Sequence, residues 1–214
     1  LRKLIEDKNL PSEWPALYSI TEQILKGIDA IHKKGIIHRD INPNNIIITP
    51  EGTVKIMDFG VAKIVGLSGL TRHGEVVGTS RYMSPEQARG EPTDQSSDLF
   101  SLGCVLYAMC TGRSPFRADT VVDAIRRVCD DTPRPIQQVN PDIPSWLVEI
   151  IDSLLQKPIE KRPYTAAQLA ELLGQHLAHV QTPTLVARPF PRSPIAAKAQ
   201  GMPHFARRRT LIAA

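Results

Sequence analysis

Two aspartates and one asparagine within residues 38–60 are the side chains of this sequence best suited to do chemistry. The stretch reads HRDINPNNIIITPEGTVKIMDFG, with Asp40 near its start, Asn45 in its first half and Asp58 near its end. Carboxylate and amide oxygens are hard ligands of the kind that Mg²⁺ prefers, and the stretch contains no cysteine. The residue types therefore indicate a site for a divalent cation and a phosphate group.

Short β-strands are the elements that would bring these side chains together. Apolar runs at residues 46–48 and 54–57 flank a polar turn at residues 50–52, a pattern typical of two small strands joined tightly. Asp40 and Asp58 then lie in loops at strand ends, where one small sheet can hold both.

Helical periodicity covers most of the remaining chain. A short first helix is predicted to end near Asn9, and a longer one has Pro15 in its first turn and Gly35 after its end. Residues 98–110 are apolar on all sides, which predicts a helix in the core that ends at Gly112.

Three further helices are predicted after this one. One covers residues 121–128, a second begins with Ser145 as its N-cap, and the last opens with a capping box of Thr165 and Gln168. The proline-rich link at residues 132–144 is predicted to cross the surface. The resulting fold class is mainly α, with a small β-hairpin near the candidate site.

The composition fits one domain with an attached tail. A chain of 214 residues with 42% hydrophobic residues can bury a sizeable core. The three cysteines lack metal-ligand spacing, and Cys104 and Cys110 lie in an apolar helix, as expected of free thiols in a reducing cytoplasm. No run of the sequence reaches the roughly 18 apolar residues that indicate a membrane span.

The positive charge belongs to the end of the chain. Six basic residues and no acidic one follow residue 180, and against a total of +4 they leave residues 1–180 with a net charge of −2. The charge therefore does not indicate nucleic-acid binding by the folded part. Residues 181–214 are basic and contain five prolines, which predicts a disordered tail or linker. Their final RRRTLIAA fits either a solvated tail or the flank of a membrane span beyond residue 214.

The motifs resemble those of the protein kinase catalytic core. HRDxxxxN at residues 38–45 is followed thirteen positions later by DFG at residues 58–60. Further matches are GT at 78–79, SPE at 84–86, DLFSLG at 98–103 and RP at 162–163. The wording is similar to that of the eukaryotic-like serine/threonine kinases of bacteria, over roughly residues 1–180.

This resemblance implies a phosphoryl-transfer site that uses ATP and Mg²⁺. Asp40 would be the catalytic base, and Asn45 and Asp58 would hold the magnesium ions that bridge the ATP phosphates. Ile47 would lie under the adenine. Thr79 would hydrogen-bond the catalytic aspartate and support the substrate site.

Other residues match structural positions of the family, namely His38, Phe59, Gly60, Glu86, Asp98 and Arg162. The resemblance implies that His38 and Phe59 stack in an internal apolar column, so that the histidine is a packed core residue. Asp98 would bind backbone N–H groups around His38, although an aspartate there could also cap its own helix. Glu86 would form an ion pair with Arg162.

The polar stretch between Asp58 and Glu86 contains a candidate phosphorylation site. Thr71 lies in this stretch, and by resemblance Arg39 and Lys63 are placed to pair with a phosphate on it. The alternative is that Thr71 is a solvated loop residue.

Asn42 departs from the family pattern. Serine/threonine kinases have a lysine two residues after the catalytic aspartate, where its ammonium group meets the transferring phosphate. Asparagine can donate a hydrogen bond there but brings no charge. Loss of one preorganised donor at a developing anion costs roughly 100- to 1000-fold in rate.

The resemblance begins partway through the family's domain, because no glycine-rich loop, VAIK-type lysine or partner glutamate occurs in the sequence. We therefore expect residues 1–180 to be the C-terminal lobe without the N-terminal lobe. The chain is then a serine/threonine kinase lobe that acts on protein hydroxyls and is weak or inactive alone, or a non-catalytic module that binds partners.

A third alternative is a small-molecule phosphotransferase of related fold. Arg39, Thr79 and the SPE motif disfavour it, because they serve a groove for protein substrates. Thr79 and Pro43 also disfavour tyrosine as the acceptor. The expected partners are ATP and proteins bearing Ser or Thr, in the cytoplasm, with a membrane tether only if a span follows residue 214.

Overall fold

The computed structural model describes residues 1–7, 14–58, 80–162 and 164–181. In these residues the chain is mainly helical, with one two-stranded sheet. The α-helices are α1 (Arg2–Glu6), α2 (Trp14–His32), α3 (Pro85–Ala88), α4 (Gln95–Thr111), α5 (Val121–Asp130), α6 (Ser145–Leu154) and α7 (Ala166–Gln181). The strands are β1 (Ile46–Ile48) and β2 (Val54–Ile56), and short 3-10 helices lie at Ile136–Gln138 and Ile159–Lys161.

The two predicted strands form an antiparallel hairpin that α2 holds in place. Ile46 lies opposite Ile56, and Gly52 adopts a φ of 81° in the turn. Gln23 of α2 donates from Nε2 to the carbonyl oxygen of Gly52 at 3.1 Å, and its Oε1 accepts from the N–H of Val54 at 3.0 Å. One side chain therefore satisfies the turn and the start of β2, which fixes the hairpin against α2.

Helix α4 is the centre of the core, as its all-round apolar pattern predicts. Every residue from Ser97 to Cys110 is buried. Gly112 ends the helix with a φ of 74°, a left-handed conformation that glycine adopts without strain. The predicted start was wrong, because the helix begins at Gln95 and the N-cap is Asp94, whose Oδ1 accepts from the N–H of Ser96. The polar first turn hid this boundary from an argument based on apolar periodicity.

Close helix packing surrounds α4. A Cβ atom added to Gly103 would lie 2.9 Å from the Cβ of Leu154 in α6, so the two helices meet where only glycine fits. Phe100 of α4 stacks on Phe116 with ring centroids 5.9 Å apart. Helix α2 packs against α7, β2 and α4, so it connects the hairpin to the helical core.

The later helices match their predicted positions with two corrections. The capping box of α7 is present, with Gln168 N–H donating to Thr165 Oγ1 and Thr165 N–H donating to Gln168 Oε1. Ser145 is the first residue of α6 and makes no cap, because the preceding residue is Pro144. The link at residues 132–144 is not wholly a surface crossing, because its isoleucines at positions 136 and 143 are buried.

The first helix ends at Glu6, whereas the sequence predicted an end near Asn9, which lies outside the described residues. In the described part of the chain, no helix is both long enough and apolar enough to cross a bilayer.

Candidate active site

The Asp40 carboxylate is held at both of its oxygens by amide groups of the same loop. Asn42 Nδ2 donates to Asp40 Oδ1 at 2.8 Å, and Asn45 Nδ2 donates to Asp40 Oδ2 at 3.0 Å. Both amides also reach the Asp40 carbonyl oxygen, at 3.1 and 2.9 Å. These bonds restrict the rotation of the carboxylate and leave it half-buried at the site.

The position of Asn42 differs from what the sequence alone suggested. Its side chain is buried, with 1% of its surface exposed, and its Oδ1 accepts from the N–H of Asn44 at 2.9 Å. The amide is therefore used to hold Asp40 and the turn that follows. The hydrogen bond that the sequence assigned to a phosphate goes to the aspartate in this structure.

Asp98 anchors the backbone at the start of this loop. Its Oδ2 accepts from the N–H of His38 at 2.8 Å, and its Oδ1 accepts from the N–H of Arg39 at 2.8 Å. Its Oδ2 also lies 2.7 Å from Nε2 of His32, at the end of α2. The contacts with residues 38 and 39 are those that the sequence predicted, and the N-cap alternative is wrong because Asp94 caps the helix.

His38 joins the loop of Asp40 to the residue that precedes Asp58. Its Nε2 lies 3.0 Å from the carbonyl oxygen of Met57, and its Nδ1 accepts from the N–H of Asp40 at 3.3 Å. The N–H of Met57 in turn donates to the carbonyl oxygen of Asn45 at 2.8 Å. Asp58 therefore follows directly after a residue that is bonded to both ends of the HRDxxxxN segment.

Two residues of the site have left-handed backbone conformations. Arg39 has a φ of 65° and Asp58 has a φ of 55°. Such values are uncommon for residues other than glycine and cost of order 1–3 kcal/mol, so they persist only where surrounding contacts hold them. For Arg39 those contacts are the bond to Asp98 and a bond from Gln87 Nε2 to its carbonyl oxygen at 2.7 Å.

Ile47 lies on the open side of the hairpin. Its side chain is 46% exposed, and Met57 beside it is 42% exposed, whereas Ile46 is buried. The alternation of β1 therefore presents an apolar surface next to the Asp40 loop.

Glu86 and Arg162 form a buried, bidentate ion pair, as the sequence predicted. Arg162 Nη1 donates to Glu86 Oε1 at 2.7 Å and Nη2 donates to Oε2 at 2.9 Å. The remaining N–H groups of Arg162 donate to the backbone carbonyl oxygens of Ser96, Gln156 and Lys157. The Ser97 hydroxyl adds a bond of 2.7 Å to Glu86 Oε1. Burial alone would raise the pKa of Glu86, but the hydrogen bonds and charge of Arg162 and the Ser97 bond hold it below its ordinary value.

Lys157 lies next to this pair and was not singled out by the sequence. Its Nζ lies 3.8 Å from the ring centroid of Phe116 and donates to the carbonyl oxygen of Val128, in the last turn of α5. Burial lowers the pKa of Lys157 to about 8. This lysine joins α5 to the segment that follows α6.

Sequence reasoning also missed His32, Ser97 and Gln87, although each contacts a residue of the site. His32 and Ser97 act across more than ten positions of sequence, and no spacing rule predicts such contacts. Gln87 had a signal, because SPEQ reads as a capping box, and Ser84 and Gln87 do form one.

Five of the predicted site residues lie outside the described part of the chain: Phe59, Gly60, Lys63, Thr71 and Thr79. In the described part, no group of three or more His, Cys, Asp or Glu side chains could hold a metal ion. The predicted cation site consists of two oxygen-bearing residues, Asn45 and Asp58, and does not require such a group.

Known proteins share these motifs. The sequence model of the family described as "Protein kinase domain" matches residues 1–173. "Probable serine/threonine-protein kinase CA_C1728" of Clostridium acetobutylicum is 39% identical over 85% of this chain and 27% of its own length. "Probable serine/threonine-protein kinase CPE1738" of Clostridium perfringens is 40% identical over 81% of this chain and 25% of its own length.

"Serine/threonine-protein kinase PknB" of Mycolicibacterium smegmatis is 41% identical over 68% of this chain and 24% of its own length. The chain spans about a quarter of the length of the curated relatives that it matches. From the match to the family and the bacterial origin of these relatives, the chain belongs to the protein kinase domain family, as a eukaryotic-like serine/threonine kinase of bacterial type.

Proposed function

We propose that residues 1–180 are the C-terminal lobe of a serine/threonine protein kinase domain, which transfers the γ-phosphate of ATP to Ser or Thr hydroxyls of proteins. The observation that carries this proposal is the Asp40 carboxylate, held at one oxygen by Asn42 and at the other by Asn45. Phosphoryl transfer depends mainly on positioning and charge, so a carboxylate of fixed orientation is the group that the reaction needs.

Asp40 is the proposed catalytic base. It would accept the proton of the substrate hydroxyl while aligning that hydroxyl for in-line attack. Asp98 is a positioning residue, because it fixes the backbone of His38 and Arg39 immediately before Asp40.

Asn45 and Asp58 are proposed to hold the magnesium ions. The Asn45 amide donates both of its described bonds to Asp40 from Nδ2, and no described residue donates to its side-chain oxygen, which suits a hard cation. ATP with Mg²⁺ supplies the transferable phosphoryl group and neutralises the charge that develops on it. The exposed Ile47 would lie under the adenine.

The remaining assignments also stay proposals. Arg39 is exposed, and no described residue contacts its guanidinium group, so it is open to a phosphate on Thr71 together with Lys63. Thr79 would support the substrate site. Residues 181–214 would be a basic tail or linker.

The second candidate function is a non-catalytic module that binds partners. Asn42 favours it, because the family's lysine is replaced by an amide that is buried and committed to Asp40. The retained Asp40, Asn45 and Asp58 favour catalysis, past or present. We expect the 214-residue chain alone to show little turnover, because it contains neither this lysine nor a glycine-rich phosphate loop.

Transfer of radiolabelled phosphate from ATP to a serine-containing protein tests the proposal. The assay would use this chain alone and the chain joined after the N-terminal lobe of a related kinase. We expect measurable transfer by the joined chain and a loss of about 100-fold or more with Asp40→Asn, since proton transfer by a positioned base contributes that much. Asp142→Asn is the matched control, because this aspartate is exposed and far along the sequence. Equal rates for the two variants would contradict the role of Asp40.

A further inference from the structure

A cavity of about 270 Å³ lies beside the loop that contains Asp40. Pro43 and Asn44, which follow Asp40 by three and four positions, form part of its lining, and α1 and the segment after α4 supply the rest. Arg2 of α1 donates from Nη1 to Asn44 Oδ1 at 3.3 Å, which connects the helix to the loop. Pockets for drug-sized ligands measure about 300–1,000 Å³, so this volume suits a single side chain.

The lining of this cavity is strongly positive. Its charged residues are four arginines and one glutamate, namely Arg2, Arg81, Arg113, Arg117 and Glu6. Glu6 pairs with Arg2 at 2.7 Å. In the part of the chain that the structure describes, the other three arginines have no carboxylate within ion-pair distance. Guanidinium groups bind carboxylates and phosphates through paired N–H donors, so the lining is suited to an oxyanion.

Two buried polar atoms of the lining have no hydrogen-bond partner among the described residues. They are Nε of Arg81 and Oγ of Ser114. Arg81 Nη2 donates to the carbonyl oxygen of Ala118 at 2.6 Å, which fixes the guanidinium group while its Nε remains unused. A buried donor without a partner costs about 1–3 kcal/mol, so such atoms are rare in native proteins and call for a ligand.

Tyr82 adds a third polar group. It lines the same cavity, and burial raises the pKa of its hydroxyl, opposed by the charges of Arg81 and Arg2. The hydroxyl therefore stays protonated at neutral pH and remains able to donate. Arginine N–H groups and hydroxyls are the donor set of a site for a carboxylate or a phosphate.

We propose that this cavity binds a carboxylate or phosphate carried by the protein substrate, on a residue within about five positions of the phosphorylated hydroxyl. The proximity of Pro43 and Asn44 to Asp40 sets this limit, since an extended peptide advances about 3.3–3.6 Å per residue. The inference deepens the proposed function and rests on it, because it specifies acidic or already phosphorylated proteins as the substrate class.

Binding of short fluorescent peptides to the purified 214-residue chain, without nucleotide, tests the inference. Each peptide has one central serine and, at one nearby position, glutamate, phosphoserine, glutamine or lysine. Inorganic phosphate serves as a separate probe. We expect at least one glutamate or phosphoserine peptide to bind about tenfold or more tightly than its glutamine counterpart, and the affinity to fall as salt increases.

The variant Arg113→Gln/Arg117→Gln removes two charges whose side chains make no described contact, so it is expected to fold normally. It should abolish the preference for acidic peptides. Arg134→Gln is the matched control, because this exposed arginine lies outside the cavity, and it should leave the preference intact. Arg81→Gln should weaken binding further, since it removes the buried Nε.

Either anionic peptide supports the inference, and the tighter of the two identifies the source of the charge. Equal binding of acidic and glutamine peptides, or an unchanged preference in the double arginine variant, would overturn it. Binding of inorganic phosphate without any peptide preference would overturn it too. The assay needs no ATP, so acidic peptides that bind to a chain without phosphate transfer would refute the kinase proposal alone.

Discussion

At the scale of single residues, Asp98 shows how one buried carboxylate organises a loop sixty positions away. Its two oxygens serve the N–H groups of His38 and Arg39, and the ring of His32. The resemblance to kinases predicted the first two contacts. It did not predict His32, whose position at a helix end carries no sign of a partner that far along the chain.

Replacement of Asp98 by asparagine should destabilise the protein. The amide can accept at one oxygen only, so at least one buried N–H group loses its partner, at about 1–3 kcal/mol each. Asp94→Asn is the matched control in the same first turn, because asparagine caps helices as well as aspartate does. Urea unfolding would measure both variants, and equal losses would contradict the anchoring role of Asp98.

A second prediction at this scale concerns Asn42. In the chain joined after a related N-terminal lobe, Asn42→Lys should raise phosphate transfer by about 100-fold, since it supplies a charge at the transferring phosphate. The gain has to exceed the loss of the 2.8 Å bond to Asp40. Gln175→Lys adds the same charge on the exposed face of α7 and should change nothing. A rate no higher than that of the joined parent would show that position 42 has a different role.

At the scale of elements, periodicity predicted the helices and polarity concealed their ends. The buried faces of α2, α4 and α6 follow apolar spacing, which is why their middles are readable from the sequence. The start of α4 at Gln95 was missed because its first turn is polar, with Ser97 turned inward to Glu86. Ser145 was assigned a capping role because serine is a common N-cap, but Pro144 occupies that position.

The contact between α4 and α6 yields a prediction of its own. Gly103→Ala should destabilise the protein by about 1–3 kcal/mol, because its Cβ would lie 2.9 Å from the Cβ of Leu154. This loss outweighs the gain of about 1 kcal/mol in helix propensity. Gly174→Ala in α7 is the control, because its Cβ would meet only the Tyr18 hydroxyl, at 3.2 Å. Thermal unfolding should separate the two variants, and an unaffected Gly103→Ala would mean that the helices can move apart.

At the scale of the whole molecule, the sequence predicted a mainly helical architecture and the family motifs predicted which distant segments meet. The buried pair of Glu86 and Arg162 joins residues 76 positions apart, and only the resemblance made it predictable. The positive cavity was not predicted, because its arginines come from separate parts of the chain. Spacing rules describe one element at a time, whereas a cavity forms where several elements meet.

The pH dependence of stability follows from Lys157, which contacts α5, the core rings and the neighbourhood of Arg162. Its pKa is about 8 in the folded protein, against an ordinary value of 10.5. Between these values the unfolded chain binds more protons, so this lysine makes the folded state more stable as pH rises from about 8 toward 10.5. Below pH 8 the cost of burying its charge is fully present.

Lys157→Met removes this titration. The difference in Tm between the parent and this variant should shift in favour of the parent as the pH is raised from neutral to above 9. Comparison with Lys33→Met, at an exposed lysine of α2, corrects for general effects of losing a lysine. A difference that does not change with pH would mean that the folded protein leaves Lys157 with its ordinary pKa.

The ion pair between Glu86 and Arg162 also has a consequence for how the chain is made. At synthesis rates of about 5–20 residues per second, the glutamate emerges roughly 4–15 s before the arginine that neutralises it. Helix α3 therefore cannot settle in its final place while the chain is still short. A nascent chain that stalls before position 162 would expose an unpaired carboxylate where the finished protein is dry.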